Sequence, residues 1–124
     1  MKIDWSDINH FKESDFACKC GCGFNCISEE LVFNLDEARD IAQFPFIVKS
    51  GCRCEVHNIA EGGEKDSSHK KGLAVDISCR SDERRFVMVS ALLNVGFKRV
   101  LVYPTFIHVD IDLEKPNPLL KIMK

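Results

Sequence analysis

From Leu31 to Ala42, apolar residues at Leu31, Val32, Leu35, Ala38, Ile41 and Ala42 recur at the spacing of one face of an α-helix. Ser28 stands ahead of them as an N-cap. Glu29 and Glu30 occupy the first turn, where carboxylates meet the positive end of the helix. The helix is expected to end before Pro45. Phe46-Ile47-Val48 then reads as a short buried strand, and the polar stretch from Gly51 to Lys71, which contains Gly62-Gly63, as a long loop. A loop of that length inside a compact domain usually carries function. Alternation returns in Leu73-Ala74-Val75-Asp76-Ile77, a strand. Ser81-Asp82-Glu83 opens a second helix, whose Phe86, Val89 and Leu93 share a face before Gly96 stops it. Arg99 to Tyr103 and Phe106 to Ile111 read as two strands that turn at Pro104-Thr105. The tail, with Pro116 and Pro118, is a weak candidate for regular structure.

The first 27 residues show no sustained periodicity and hold a cluster of Cys and Gly. They read as an irregular, Cys-rich N-terminal arm of the same domain, ordered by packing or cross-links, ahead of a main body at residues 28–124. The expectation is a small α+β single domain, with an antiparallel-containing sheet and two main helices. A length of 124 residues, 45% of them hydrophobic and 29% charged, suits one such domain and no more.

The net charge of −2 argues against a nucleic acid partner, which would require a basic surplus. No run reaches the roughly 18 to 20 apolar residues of a membrane span, and Met1 to Asp7 lacks the apolar stretch of a signal peptide. A chain without membrane insertion or signal peptide, made in the cytoplasm, is expected. Seven cysteines depart from the average: Cys18, Cys20, Cys22, Cys26, Cys52, Cys54 and Cys79. An odd number cannot close completely into intramolecular disulfides, and a reducing compartment preserves thiols. The glycine-interleaved run from Cys18 to Cys26, with Cys52 and Cys54, leaves two readings open. One is a second, structural zinc. The other is buried thiols or disulfides that pin the arm to the loop near residue 50.

The chemistry is concentrated in Ser67-Ser68-His69-Lys70-Lys71-Gly72-Leu73-Ala74-Val75-Asp76 and in Phe106-Ile107-His108-Val109-Asp110. His108 and Asp110 fall on one strand face, because side chains repeat every two residues. Two imidazoles and a carboxylate suit zinc, and three protein ligands leave a fourth position open, the form of a catalytic site. A metal in such a site polarises carbonyls and lowers the pKa of bound water from 15.7 to roughly 7, which allows amide hydrolysis at neutral pH.

Here the chain resembles a known family. Ser-x-His-x-x-Gly-x-Ala-x-Asp followed by a His-x-Asp strand is similar to the signature of the zinc D-Ala-D-Ala carboxypeptidases and peptidoglycan endopeptidases, which share a fold with the hedgehog signalling domain. The blocks Ser50-Gly51-Cys52-Arg53, His57-Asn58 and Gly62-Gly63 resemble the family's central region in order and spacing. Phe11-Lys12-Glu13-Ser14-Asp15-Phe16 and Val102 to Asp110 resemble its short, stand-alone phage-type members. The resemblance implies a hedgehog/DD-peptidase-like fold, a peptidase domain over residues 28–124, and one catalytic Zn2+ on His69, Asp76 and His108. It implies Arg53 and Ser67 as substrate-binding residues, Arg53 through two parallel hydrogen bonds to a carboxylate. Ser68 competes with Ser67, either of which can instead cap a turn. His57 and Asn58 are expected to support the loop.

The best-known relatives carry a Glu three residues before the last ligand, or a His two before it. This chain has Thr105 and Phe106 there, neither of which takes a proton near pH 7. Asp110 is the candidate catalytic base, with a role in orienting a ligand as the alternative; a swap, Asp110 on zinc and His108 as base, is also open. The expected function is hydrolysis of an amide bond in bacterial peptidoglycan stem peptides by a monomer. It would be a phage-type lysis enzyme or a host protein, acting on the cell wall after release or export. The alternative is an inactive zinc-containing module of the same fold that binds cell wall or protein.

Overall fold

The structure is a computed structural model that describes residues 3–124. Met1 and Lys2, part of the segment read above for a signal peptide, lie outside the described residues. In chain order the elements are α1 (Glu13–Phe16), α2 (Glu29–Ala42), β1 (Val48–Ser50), α3 (Glu55–Ala60), β2 (Ala74–Ser78), α4 (Asp82–Asn94), β3 (Arg99–Val102), β4 (Phe106–Asp110) and β5 (Leu119–Ile122). Single 3-10 turns lie at Trp5–Asp7 and Ser68–Lys71. The strands form one sheet in the order β1-β2-β4-β3-β5, antiparallel except for the β3–β5 pair. This is the small mixed α+β domain expected.

The sheet's alternation separates core from cleft. Val75 and Ile77 on β2, Ile107 and Val109 on β4, and Val100 and Val102 on β3 pack with α2 and α4 in one core cluster. Asp76, His108, Asp110, Leu101 and Arg99 occupy the intervening positions and point to the other face. Burial of each large apolar side chain in the first set is worth about 1.5–3 kcal/mol. The core therefore holds the register that aligns the second set.

Both long helices start where the capping residues stand. Ser28 accepts from the amide of Leu31, and Ser81 from that of Arg84. The face expected for α4 is corrected, however: Phe86 is 75% exposed and Leu93 44%, whereas Met88, Ala91 and Leu92 are buried. Positions 88, 91, 92 and 95 repeat with the same period as 86, 89 and 93. Packing against α2 selects Met88, Ala91 and Leu92, with Val89 and Val95 partly buried at the edges of that face.

The arm packs on the body of the domain. Phe16 is fully buried, stacked on Trp5 at 5.8 Å and tilted against Phe11 at 5.3 Å, so an aromatic cluster anchors it. Buried Asp36 of α2 adds to this by accepting from the amides of Asn9 and His10. Gly51 faces the arm, and Cys52 donates its amide to the Phe16 carbonyl. A Cβ at Gly51 would lie 2.6 Å from that carbonyl oxygen, so only glycine allows the approach.

Three further boundaries differ. The first strand begins at Val48 rather than Phe46, although Phe46 is buried in the core and Ile47 is 61% exposed. The loop from Gly51 to Lys71 contains α3, which Cys54 caps through its sulfur. The tail supplies β5, placed parallel to β3 by long-range pairing that local pattern does not signal. No helix among the described residues is long and apolar enough to cross a membrane.

Candidate metal centre

Three elements converge at the centre of the cleft face. Asp76 on β2 lies directly across from His108 on β4, as antiparallel partners in register. His69 enters from the 3-10 turn, where the Ser67 hydroxyl accepts from its amide at 3.3 Å. His69 Nδ1 donates to the Gly51 carbonyl at 2.8 Å, which leaves Nε2 as a lone-pair donor facing Asp76 Oδ1 at 3.3 Å. His108 Nδ1 lies 2.9 Å from the same carboxylate oxygen. One ligand atom from each of the three residues falls within 4.8 Å of the others.

These residues fit a zinc ion. Two imidazole nitrogens and a carboxylate oxygen with bond lengths of about 2.0–2.1 Å span tetrahedral edges of about 3.3 Å, close to the separations seen. A lone pair on His69 Nε2 directed at a carboxylate oxygen also calls for a cation or proton between them. Burial works against the charge on Asp76, but the neighbouring His108 and His69 rings outweigh it and hold the carboxyl below the usual range. Burial likewise opposes charge on His108, where hydrogen bonds to Asp110 and Asp76 prevail and raise its pKa.

Asp110 does not join the three donor atoms. Its side chain is fully buried; Oδ2 accepts from His108 Nε2 at 2.7 Å and from Arg99 Nε at 3.0 Å, and Oδ1 accepts from the amide of Asp112. These contacts suit a role in orienting His108, and Asp110 also lines the cleft that holds the three donors. Arg99, which pattern alone did not single out, reaches Asp110 because it sits two residues before Leu101, the partner of His108 on β3.

The other sequence-predicted residues divide between cleft and support. Arg53 and Ser67 line a cleft of about 340 Å³ together with the three donors. Arg53 is held by Nε to the Ser50 hydroxyl at 3.1 Å, with a terminal nitrogen 3.5 Å from Asp76 Oδ2. Ser68 also borders the cleft, but its hydroxyl donates to Asp112 at 2.7 Å. Asn58 is buried and donates to the Glu64 carbonyl, while His57 pairs with Glu61 at 3.5 Å, so both support the loop as expected. The cleft wall adds Glu61, Glu64 and Tyr103. Tyr103 stacks on Phe106 at 4.4 Å, and burial raises its hydroxyl pKa. The loop carboxylates had no spacing signal, because only the fold of the segment around α3 brings them to the cleft.

The seven cysteines are free thiols. Cys18, Cys20, Cys22 and Cys54 gather in one group. Cys26 and Cys52 form a separate pair with sulfurs 3.3 Å apart, and Cys79 is buried elsewhere.

Metal centres of this form, with three protein donors at the base of an open cleft, serve metal-dependent hydrolases. Comparison with known proteins narrows the class. The family model described as Peptidase M15 matches residues 9–110, and the chain belongs to this family of zinc-dependent peptidases. No curated protein matches the chain. The family match extends through much of the arm as well as the body.

Proposed function

We propose that this chain is a peptidase that hydrolyses an amide bond in bacterial peptidoglycan stem peptides, as a carboxypeptidase or an endopeptidase. The observation that carries this reading is the convergence of His69, Asp76 and His108 beneath an open cleft edged by Arg53. His69 Nε2, Asp76 Oδ1 and His108 Nδ1 would hold zinc. Bound there, zinc supplies a Lewis acid that polarises the scissile carbonyl and makes water a nucleophile at neutral pH.

The remaining duties fall to the chain's own side chains. Arg53 presents a planar guanidinium to a substrate carboxylate, a charge-assisted contact that also fixes orientation. Ser67 offers its hydroxyl to the peptide backbone. Asp110, braced by Arg99, keeps His108 turned toward Asp76. Proton handling then belongs to a carboxylate on the cleft wall, Glu61 or Glu64, both of which face the same space as the three donors. The protein acts as a monomer on the cell wall, in the manner of a phage-type lysis enzyme.

A second reading, an inactive zinc-containing module that binds cell wall, draws on Thr105 and Phe106, which supply no proton-transfer group. Digestion of purified peptidoglycan by zinc-loaded protein separates the two. Mass analysis is expected to show new amine and carboxyl ends, absent with His69→Ala, and to identify the bond. Sedimentation with cell walls and no product ends would replace the enzyme with the binding module.

A further inference from the structure

We propose that Cys18, Cys20, Cys22 and Cys54 form a second, structural metal site for a thiophilic tetrahedral cation, zinc foremost, and that this ion fastens the arm to the segment carrying Arg53. The four sulfurs lie within 4.8 Å of one another. Cys18 Sγ is 3.4 Å from Cys20 Sγ and 3.8 Å from Cys54 Sγ, and the latter two are 3.7 Å apart. Zn–S bonds of about 2.3 Å in a tetrahedron span edges of about 3.8 Å. The spacing is therefore that of thiolates around an ion, and no two of these sulfurs are bonded.

The backbone is arranged for anionic sulfur. Amides of Cys54, His57 and Phe24 donate to the sulfurs of Cys18, Cys54 and Cys22 respectively, each at 3.4 Å. A neutral thiol is a weak acceptor, whereas a metal-bound thiolate uses such donors to spread its charge. Gly21 and Gly23, with φ of +86° and +84°, provide the left-handed turns that bring three closely spaced cysteines to one point. Four protein ligands close the coordination shell, the form of a structural site. Soft sulfur donors also separate this group chemically from the nitrogen and oxygen donors of the first centre. Cys20 and Cys22 are exposed, so an ion has a path in.

The mechanical consequence lies in the chain next to Cys54. Arg53 precedes it and donates its amide to the His69 carbonyl at 3.1 Å, while the Gly51 carbonyl accepts from His69 Nδ1. An ion on Cys54 thus secures the same short segment that positions Arg53 and orients His69. Cys26 and Cys52 take no part, being paired with each other.

Cobalt(II) loading of the full chain, prepared under reducing conditions, tests the site without using turnover. Thiolate-to-cobalt charge-transfer absorption is expected in the wild type and in His69→Ala, and is expected to disappear in Cys20→Ser/Cys22→Ser. Zinc content should fall from two ions per chain to one in either of those variants, one for each donor group. Cys22→His, which exchanges a thiolate for an imidazole ligand, should keep the second ion with an altered cobalt spectrum. Should the serine variant fail to fold, thiol titration of native wild type decides: zinc should protect four of the seven thiols until a chelator is added. Lack of charge-transfer absorption, equal thiol reactivity with and without zinc, or a disulfide within this group would overturn the proposal.

Discussion

The two donor groups of this molecule are built in opposite ways. His69, Asp76 and His108 are set on or against the central strands, and each is held by a further partner: the Gly51 carbonyl, the Arg53 guanidinium and the Asp110 carboxylate. Core packing behind β2 and β4 fixes their separation whether or not an ion is bound. Cys18, Cys20 and Cys22 instead lie on an arm with little regular structure, and Cys54 on a loop. Nothing in the sheet sets their spacing. A metal at the first group adds chemistry to a site already formed, whereas at the second it adds a cross-link between chain segments that lie outside the sheet.

Metal removal offers the largest contrast. With a chelator strong enough to strip both groups, amide hydrogen exchange is expected to rise by more than about tenfold in residues 17–26 and 52–56. Amides of β2 and β4 should keep their protection. Uniform deprotection of both regions, measured by mass spectrometry, would erase the distinction between a preformed centre and an ion-dependent clip.

A smaller effect is expected at Asp110, where Asp110→Asn keeps shape but removes the charge opposite His108 and Arg99. Zinc affinity at the first centre should weaken about 10- to 100-fold, in the range found for outer hydrogen-bond partners of metal ligands. Zinc competition titration measures this, with the thiolate–cobalt absorption as a control that should not change. If activity vanished while zinc affinity held, Asp110 would be the proton-handling group after all.

The smallest effect concerns stability alone. Burial raises the Asp112 pKa, but hydrogen bonds from Lys71 and Ser68 outweigh it and bring it from 3.8 to about 2. A depressed carboxyl pKa stabilises the fold above its unfolded value and loses that contribution as the pH falls through its folded value. The shift corresponds to about 2 kcal/mol. Asp112→Asn should therefore lower denaturant stability by up to about 2 kcal/mol at pH 7, with the difference from wild type closing between about pH 4 and pH 2. A constant difference across that range would assign the effect to packing instead.

Much of the frame was legible along the chain. Ser28 and Ser81 marked helix starts because capping is local chemistry, and period-two runs marked β2, β3 and β4 because each has one face in the core. The buried face of α4 was not legible, since two sets of positions had the same period and only contact with α2 chose between them. Nor was α3, six residues long with Val56 and Ile59 exposed, or β5, whose partner lies across the chain. At the centre, the two motif segments singled out His69, Asp76 and His108, and the resemblance supplied their roles. Arg99 bracing Asp110, the cleft-wall Glu61 and Glu64, and the division of cysteines into four, two and one required the folded chain.

The sequence by itself determined which residues could do chemistry and where the helices and inner strands begin, because ligand type, capping and periodicity are properties of near neighbours. Tertiary structure decided how those residues are used. It set Asp76 across from His108, turned Asp110 inward to Arg99, and carried Cys54 to within 4 Å of Cys18 across 36 positions. Such relations depend on which surfaces bury together, and that is a property of the whole chain.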